Sequence, residues 1–247
     1  MRDLTAETVV DSPRLEARGV HIARAGAVLL DVAHLALRGP GPTLILGPNG
    51  AGKSLLLRCL HGLIAPDSGQ VCQDGLGLDD AARTRQAMVF QTPVLLRRSV
   101  AGNLNYVLRR QGLARAQRRT RIEALLQQGG LGGKARQSAR SLSGGEAQRL
   151  AILRALACAP GILFLDEPTS ALDPAATQSI EAMILDAARA GTRIVMVTHD
   201  IGQARRLGHD IVLMQRGRIA EHSSAEQFFD RPESLAARRF LSGALVV

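Results

Sequence analysis

Eight consecutive residues, Gly47-Pro48-Asn49-Gly50-Ala51-Gly52-Lys53-Ser54, have the pattern G-x-x-x-x-G-K-S/T. The strand-like Thr43-Leu44-Ile45-Leu46 precedes them and a helix-like stretch from Leu55 to Leu60 follows. This strand–loop–helix context is what a phosphate cradle requires. Glycines at 47, 50 and 52 let the backbone turn its N–H groups inward, at the positive end of the helix that follows. In such a loop the Lys53 ammonium reaches the β- and γ-phosphates of a nucleotide and the Ser54 hydroxyl sits on Mg²⁺. The choice of lysine is informative, because the chain has 31 basic side chains and only two, Lys53 and Lys134, are lysines. A compact, rotatable ammonium is needed where a planar guanidinium would not fit.

Two carboxylates follow the apolar run Ile162-Leu163-Phe164-Leu165, namely Asp166 and Glu167. They fall at the C-terminal end of a buried strand, where parallel sheets bind their ligands. Adjacent acids can divide the labour: Asp166 in the Mg²⁺ shell, Glu167 orienting and polarising an attacking water. An ordinary strand can also end in two acids, but together with the phosphate loop the pair becomes specific. A further segment, Leu142-Ser143-Gly144-Gly145-Glu146-Ala147-Gln148-Arg149, carries a capping box in Ser143 and Glu146. The helix start it predicts offers free N–H groups and forms a second phosphate site. Capping alone leaves Gly144 and Gly145 unexplained, since both weaken a helix start. One nucleotide does not need two such sites in one chain.

The elements that must position these groups alternate. Short strands are expected at 20–23, 28–29 and 35–37, then the strand before the loop and a helix over 53–62. A turn at Pro66-Asp67-Ser68-Gly69 leads to a strand at 70–73, and another strand spans 87–90 and ends at Gln91. From 92 to 140 the pattern changes to helices with glycine breaks, at 100–110 and 115–128, an inserted helical subdomain. A helix at 144–157, the strand at 162–165, a helix at 175–190 and a strand at 193–198 resume the alternation, and the tail from 226 reads as helical. Continuous apolar strands alternating with helices predict a parallel sheet covered on both faces.

Composition sets the limits. At 247 residues and 46% hydrophobic composition the chain fits a soluble globular enzyme, and with 2% aromatics its core must be aliphatic. No stretch is apolar enough to span a bilayer and the first twenty residues lack a signal region, so a cytosolic location is expected. Cys59, Cys72 and Cys158 are scattered, without metal spacing, and read as reduced core residues. Between 83 and 140 stand twelve arginines and Lys134 against the single acid Glu123, a net charge of +12, while the rest of the chain carries −3. Such a block implies an anionic neighbour or, more plainly, a solvated helical face.

In the order of these motifs, over about residues 15–232, the chain resembles the ATPase subunit of an ABC (ATP-binding cassette) transporter. The resemblance implies a P-loop NTPase α/β fold with a mainly parallel core sheet, helices on both faces, a small N-terminal antiparallel β-region and an inserted helical subdomain. One domain would span 14–240, with its core at 14–91 and 142–240, the helical subdomain at 92–141 and an N-terminal tail at 1–13. Walker A falls on Gly47 to Ser54, the Q-loop on Gln91, the signature on Leu142 to Gln148, Walker B on Ile162 to Asp166 and the catalytic glutamate on Glu167. The D-loop falls on Ser170-Ala171-Leu172-Asp173 and the switch histidine on His199. In that family two subunits sandwich two ATPs head-to-tail, which accounts for the second phosphate site. Ser143 and Gly145, with Gly144 and Glu146 in the same motif, would meet the partner's γ-phosphate. His199 would hold the local one, and Gln91 would couple Mg²⁺ and water to the helical subdomain.

Two departures stand out. The family usually stacks adenine on an aromatic some 23 residues before the loop, but this chain has no Phe, Tyr or Trp before Phe90, and Arg24 falls about there. An arginine face or apolar contacts alone would take the base. Glu146 stands where Gln is usual, and either residue closes the capping box. The resemblance implies a homodimer on the cytosolic face of a membrane permease, reaching a solute-binding protein only indirectly, with no nucleic acid partner. The segment 91–100, followed by Asn103, resembles ATPases of oxyanion importers, particularly tungstate importers, with molybdate and phosphate relatives next, and the tail with Phe228, Phe229 and Pro232 reads as too short to carry a regulatory domain. Soluble ABC ATPases acting on nucleic acid or ribosomes, and exporter or scaffold-type cassettes, are the alternatives.

Overall fold

The computed structural model describes residues 13–39 and 41–243. All but Pro13 of the expected tail at 1–13 lies outside the described residues, as do residues 244–247. The N-terminal region is a long hairpin rather than the three short strands expected. Strand β1 (Leu15–Arg24) pairs antiparallel with β2 (Ala27–Leu37) across a two-residue turn at Ala25 and Gly26, both at positive φ. A register irregularity between Ile22 and Ala23 interrupts the alternation that would have revealed the full length. Strands β3 (Thr43–Leu46), β4 (Ser68–Gln73) and β5 (Leu76–Gly77) follow, and β4 and β5 complete an antiparallel sheet of order β2-β1-β4-β5.

The core sheet takes β3 into its centre. With β6 (Gln86–Val89), β7 (Ile162–Asp166), β8 (Arg193–Val197), β9 (Asp210–Gln215) and β10 (Arg218–Ser224) its order is β10-β9-β3-β8-β7-β6. Every pair is parallel except β9–β10, so the expectation of a mainly parallel sheet holds. Its strands β3, β7 and β8 are buried throughout, and alternate residues serve different cores. Ile45, Phe164, Val195 and Val212 point into a cluster shared with the antiparallel sheet and helix α1 (Lys53–His61). Leu44, Leu163, Leu165, Ile194 and Met196 point to the opposite face. There they meet α5 (Gly144–Leu156), α6 (Pro174–Arg189), α7 (Ile201–Leu207), α8 (Ala225–Asp230) and α9 (Leu235–Leu241). Burying both faces of continuous aliphatic runs is what makes a core with so few aromatics sufficient.

Between β6 and α5 the chain leaves the sheet to build a helical arm, α3 (Val100–Arg110) and α4 (Arg115–Gln128), with the boundaries expected from the sequence. Asn103, fully buried, shapes the approach to it. Its side chain accepts from the Leu96 N–H at 2.9 Å and donates to the carbonyls of Leu96 and Ser99. The arm's two ends meet at one point, where the buried Gln148 side chain donates to the Phe90 carbonyl at 3.2 Å. A short helix, α2 (Asp80–Thr84), capped by Asp79, was not anticipated. No helix among the described residues is long and apolar enough to cross a membrane.

Candidate functional site

The loop between β3 and α1 has the backbone its glycines imply. Gly47, Gly50 and Gly52 have φ of 143°, 79° and 94°, and a methyl on Gly47 would stand 2.2 Å from the Met214 carbonyl oxygen. The N–H groups of Lys53, Ser54 and Leu55 find no protein acceptor among the described residues, so the helix start faces an open cleft of ≈ 420 Å³. Residues 49–55, Leu29 and Glu167 line that cleft. Lys53 is 6% exposed and donates to the carbonyls of Gly47 and Pro48 at 2.8 and 3.0 Å. Burial pushes its pKa down, opposed by the charges of Glu167 and Asp166. An incoming polyphosphate would relieve that penalty.

Asp166, at the end of β7, is 3% exposed and accepts a hydrogen bond of 2.6 Å from the Ser54 hydroxyl. A hydroxyl and a buried carboxylate form an all-oxygen donor set that suits Mg²⁺, which takes one or two protein oxygens and completes its shell with phosphate and water. The other Asp166 oxygen lies 3.5 Å from the Arg58 guanidinium. Arg58 was missed from sequence, although it stands four residues after Ser54, on the same face of α1.

Glu167 has φ 47°, a left-handed conformation that costs a non-glycine residue about 1–3 kcal/mol. Its N–H donates to the Val197 carbonyl of β8 at 3.0 Å, which holds the turn. One carboxylate oxygen, Oε2, meets His199 Nδ1 at 3.2 Å and Gln91 Nε2 at 3.5 Å. The other, Oε1, has no protein donor among the described residues. Two residues distant in sequence, Gln91 and His199, are thus gathered on one carboxylate. Gln91, expected beside the metal, faces Glu167 and has no hydrogen bond to Ser54 or Asp166. Beneath them the buried Gln203 bonds Thr169, Thr198 and Glu181, and Arg206 holds Glu181 by two hydrogen bonds. This polar core ties the segment after Glu167 to the segment before His199.

The capped helix start expected to form a second phosphate site is present, but it lies away from this cleft. Ser143 caps α5 and Glu146 returns the bond, its Oε2 accepting from the Ser143 N–H at 3.1 Å. Gly145 is buried, a methyl there meeting the Ala176 methyl at 2.8 Å, whereas Gly144 is exposed. None of the residues 143–146 lines the cleft at the P-loop. Asp173 is the N-cap of α6, its carboxylate accepting from Ala176 N–H at 2.9 Å.

Of the two ways left open for adenine, both remain: Arg24 is tied to Asp67 by one edge only, and its side chain is 56% exposed. Arg24 bonds both oxygens of Asp67 at 2.8 and 2.9 Å. Past the turn Val28 and Leu29 are exposed apolar residues, and Leu29 reaches the cleft. On the helical arm most of the arginines are exposed. A groove of ≈ 590 Å³ there has Ile122, Leu126 and Ala135 among its lining, with Arg115, Arg119, Arg136 and the lone Glu123.

A family model described as ABC transporter matches residues 31–170. The methionine import ATP-binding protein MetN of Corynebacterium efficiens is 37% identical, over 94% of this chain and 68% of its own length. The phosphate import ATP-binding protein PstB 2 of Natronomonas pharaonis is 39% identical over 94% and 87%. The Fe(3+) ions import ATP-binding protein FbpC of Streptomyces coelicolor is 38% identical over 92% and 66%. Among solved structures, cbiO1 from Clostridium perfringens, described as part of the ABC transporter complex cbiONQ, superposes with a TM-score of 0.80 at 26% identity, covering 88% of this chain and 90% of its own. The ATP-binding cassette MJ0796, a dimer in a post-hydrolysis state with ADP and Pi, gives 0.77 at 28% identity, covering 85% and 98%.

Proposed function

The chain belongs to the ABC transporter family as an ATPase coupled to transport, and on that premise we propose that it powers import of a small solute by hydrolysing ATP as a head-to-tail dimer on a membrane permease. The observation that carries the mechanism is Glu167, which lines the P-loop cleft with one carboxylate oxygen anchored and the other free. Lys53 exchanges the carbonyls of Gly47 and Pro48 for the β- and γ-phosphates, and the unpaired N–H groups at the start of α1 take up the remaining charge. Ser54 and Asp166 would hold Mg²⁺, which when bound would neutralise charge on the phosphate oxygens. Glu167 Oε1 accepts a proton from the attacking water, with His199 and Gln91 steadying Oε2 until the γ-phosphate draws His199 away. Leu29 and Val28 supply the apolar contact for adenine. Residues 143–146, absent from this cleft, serve the nucleotide of the partner subunit, with Asp173 at the adjoining turn.

The helical arm, taken as residues 92–141 of a domain spanning 14–240, docks the permease on the cytosolic face of the membrane. An apolar groove flanked by arginines supports a protein segment as its occupant over a nucleic acid, which would not use an apolar floor. The relatives are named for methionine, phosphate and iron alike. Within this spread we favour an oxyanion, on the resemblance of residues 91–100 to importers of tungstate and molybdate. The solute-binding protein is reached through the permease alone.

Glu167→Gln is expected to lose nearly all turnover while retaining ATP in a stable dimer, and Lys53→Ala to lose nucleotide binding. Wild-type hydrolysis by Glu167→Gln would remove the proposed base. A mild-detergent pull-down of Glu167→Gln with ATP should recover a polytopic permease. Recovery of nucleic acid or ribosomal proteins instead would replace the transport reading.

A further inference from the structure

Glu146 brings a negative charge into the first turn of the helix proposed to receive a partner's γ-phosphate, and the structure places the chain's second lysine directly against it. Lys134 ends the 3₁₀ turn Gly132–Lys134 that follows α4, and its ammonium lies 2.5 Å from Glu146 Oε1. Both oxygens of the carboxylate are then committed, Oε1 to the ammonium and Oε2 to the Ser143 N–H. The pair is partly shielded, with the glutamate side chain 18% exposed. The Lys134 contact holds the Glu146 carboxyl below its usual range, ahead of the Ser143 N–H.

A glutamine at 146 would close the same capping box without charge. A glutamate stabilises the free helix end through the dipole but repels a phosphate arriving at the same N–H groups. It could also pair with Arg149, three residues on along α5. Arg149 makes no ion pair among the described residues, and its Nη1 lies 3.9 Å from where a Gly145 methyl would stand. A lysine on Oε1 removes both problems at once.

We propose that Lys134 is a positioning residue for ATP-driven dimer closure: it neutralises Glu146 and keeps it from Arg149, so that the start of α5 presents a net positive end to the partner subunit's nucleotide. The proposal rests on the head-to-tail reading given above. An arginine would not serve equally, because one oxygen of the carboxylate is already taken by the cap and bidentate pairing is closed to it.

The test is made in the Glu167→Gln chain, where ATP-driven dimerisation can be read by sedimentation without turnover. Adding Lys134→Ala should weaken dimerisation about fivefold for each site, the worth of a partly exposed ion pair, and so about twenty-five-fold for a dimer closed over two sites. Adding Glu146→Gln to Lys134→Ala should return it to within about twofold of the parent, while ATP binding by the monomer and thermal stability change little in either. Loss of dimerisation that Glu146→Gln does not rescue would mean that Lys134 merely supports the fold, and overturns the proposal. So does a dimer that Lys134→Ala leaves unchanged. If Glu167→Gln alone fails to dimerise with ATP, the head-to-tail reading falls, and the role of Lys134 with it.

Discussion

Gly144→Ala should make this protein more stable and less active. Gly144 is the first residue of α5 after its cap, its φ lies outside the left-handed region, and a methyl there would meet only Leu172 Cδ2, at the ordinary contact distance of 3.6 Å. Alanine can therefore take the native backbone and removes freedom from the unfolded chain, a gain of about 0.4–1 kcal/mol. For a chain of this size that raises Tm by about 1–4 °C. The same methyl stands on the exposed side of the helix start, where the head-to-tail dimer proposed above would bring the partner's phosphate to the N–H groups. Losing one or two charge-assisted hydrogen bonds of about 1.5–3 kcal/mol each lowers turnover by about 10-fold to well over 100-fold. Gly145→Ala is the control, since its methyl would lie 2.8 Å from the Ala176 methyl in a buried contact. Overpacking of that kind costs about 1–3 kcal/mol, so Tm falls while activity is also lost. With no tryptophan and one tyrosine, thermal unfolding is better followed by circular dichroism than by intrinsic fluorescence. A Gly144→Ala protein that hydrolyses ATP at the wild-type rate would refute the assignment of this helix start to phosphate. A lowered Tm would refute the backbone argument.

Glu181 is held below its usual carboxylate range by Arg206 first, with Gln203 adding to the effect. A depressed folded pKa contributes stability above the ordinary value of 4.5 that is lost as pH falls through the folded value. The Tm gap between wild type and Glu181→Gln should therefore be full at pH 7 and shrink below about pH 4.5; a gap independent of pH would show that the ion pair is not its source. Asn103→Ala leaves the Leu96 N–H without its acceptor in a partly buried setting, while the Leu96 and Ser99 carbonyls keep backbone donors, a cost of about 1–3 kcal/mol in urea unfolding. An unchanged midpoint would mean that water replaces the amide.

What could be read from the sequence was what lies close together along it. The two arm helices are long and bounded by turn residues, and their limits agree with the structure. The strand before Asp166 is a continuous apolar run and was equally plain. The hairpin was broken into fragments because a bulge and Gly19, at φ 59°, disturb its alternation. Helix α7 and strands β9 and β10 went unread even though Asp200 caps the helix and Ile211 to Met214 are all buried. At the site, motif residues announced themselves by spacing, but the charges opposite them did not. Arg58 beside Asp166, Lys134 beside Glu146 and Arg206 beside Glu181 are tertiary pairings in a chain where arginine is common and carries little positional information.

The clasp between Gln148 and the Phe90 carbonyl brings the entrance and exit of the helical arm to one spot on the sheet. An insertion whose ends meet can be exchanged as a unit, because the host backbone needs only a short bridge at that spot to stay intact. With the docking role proposed for the arm, motor and docking module can then diverge at separate rates. Grafting the arm of a relative that serves another permease, with the clasp retained, would redirect the same ATPase to a new transporter without rebuilding its catalytic face.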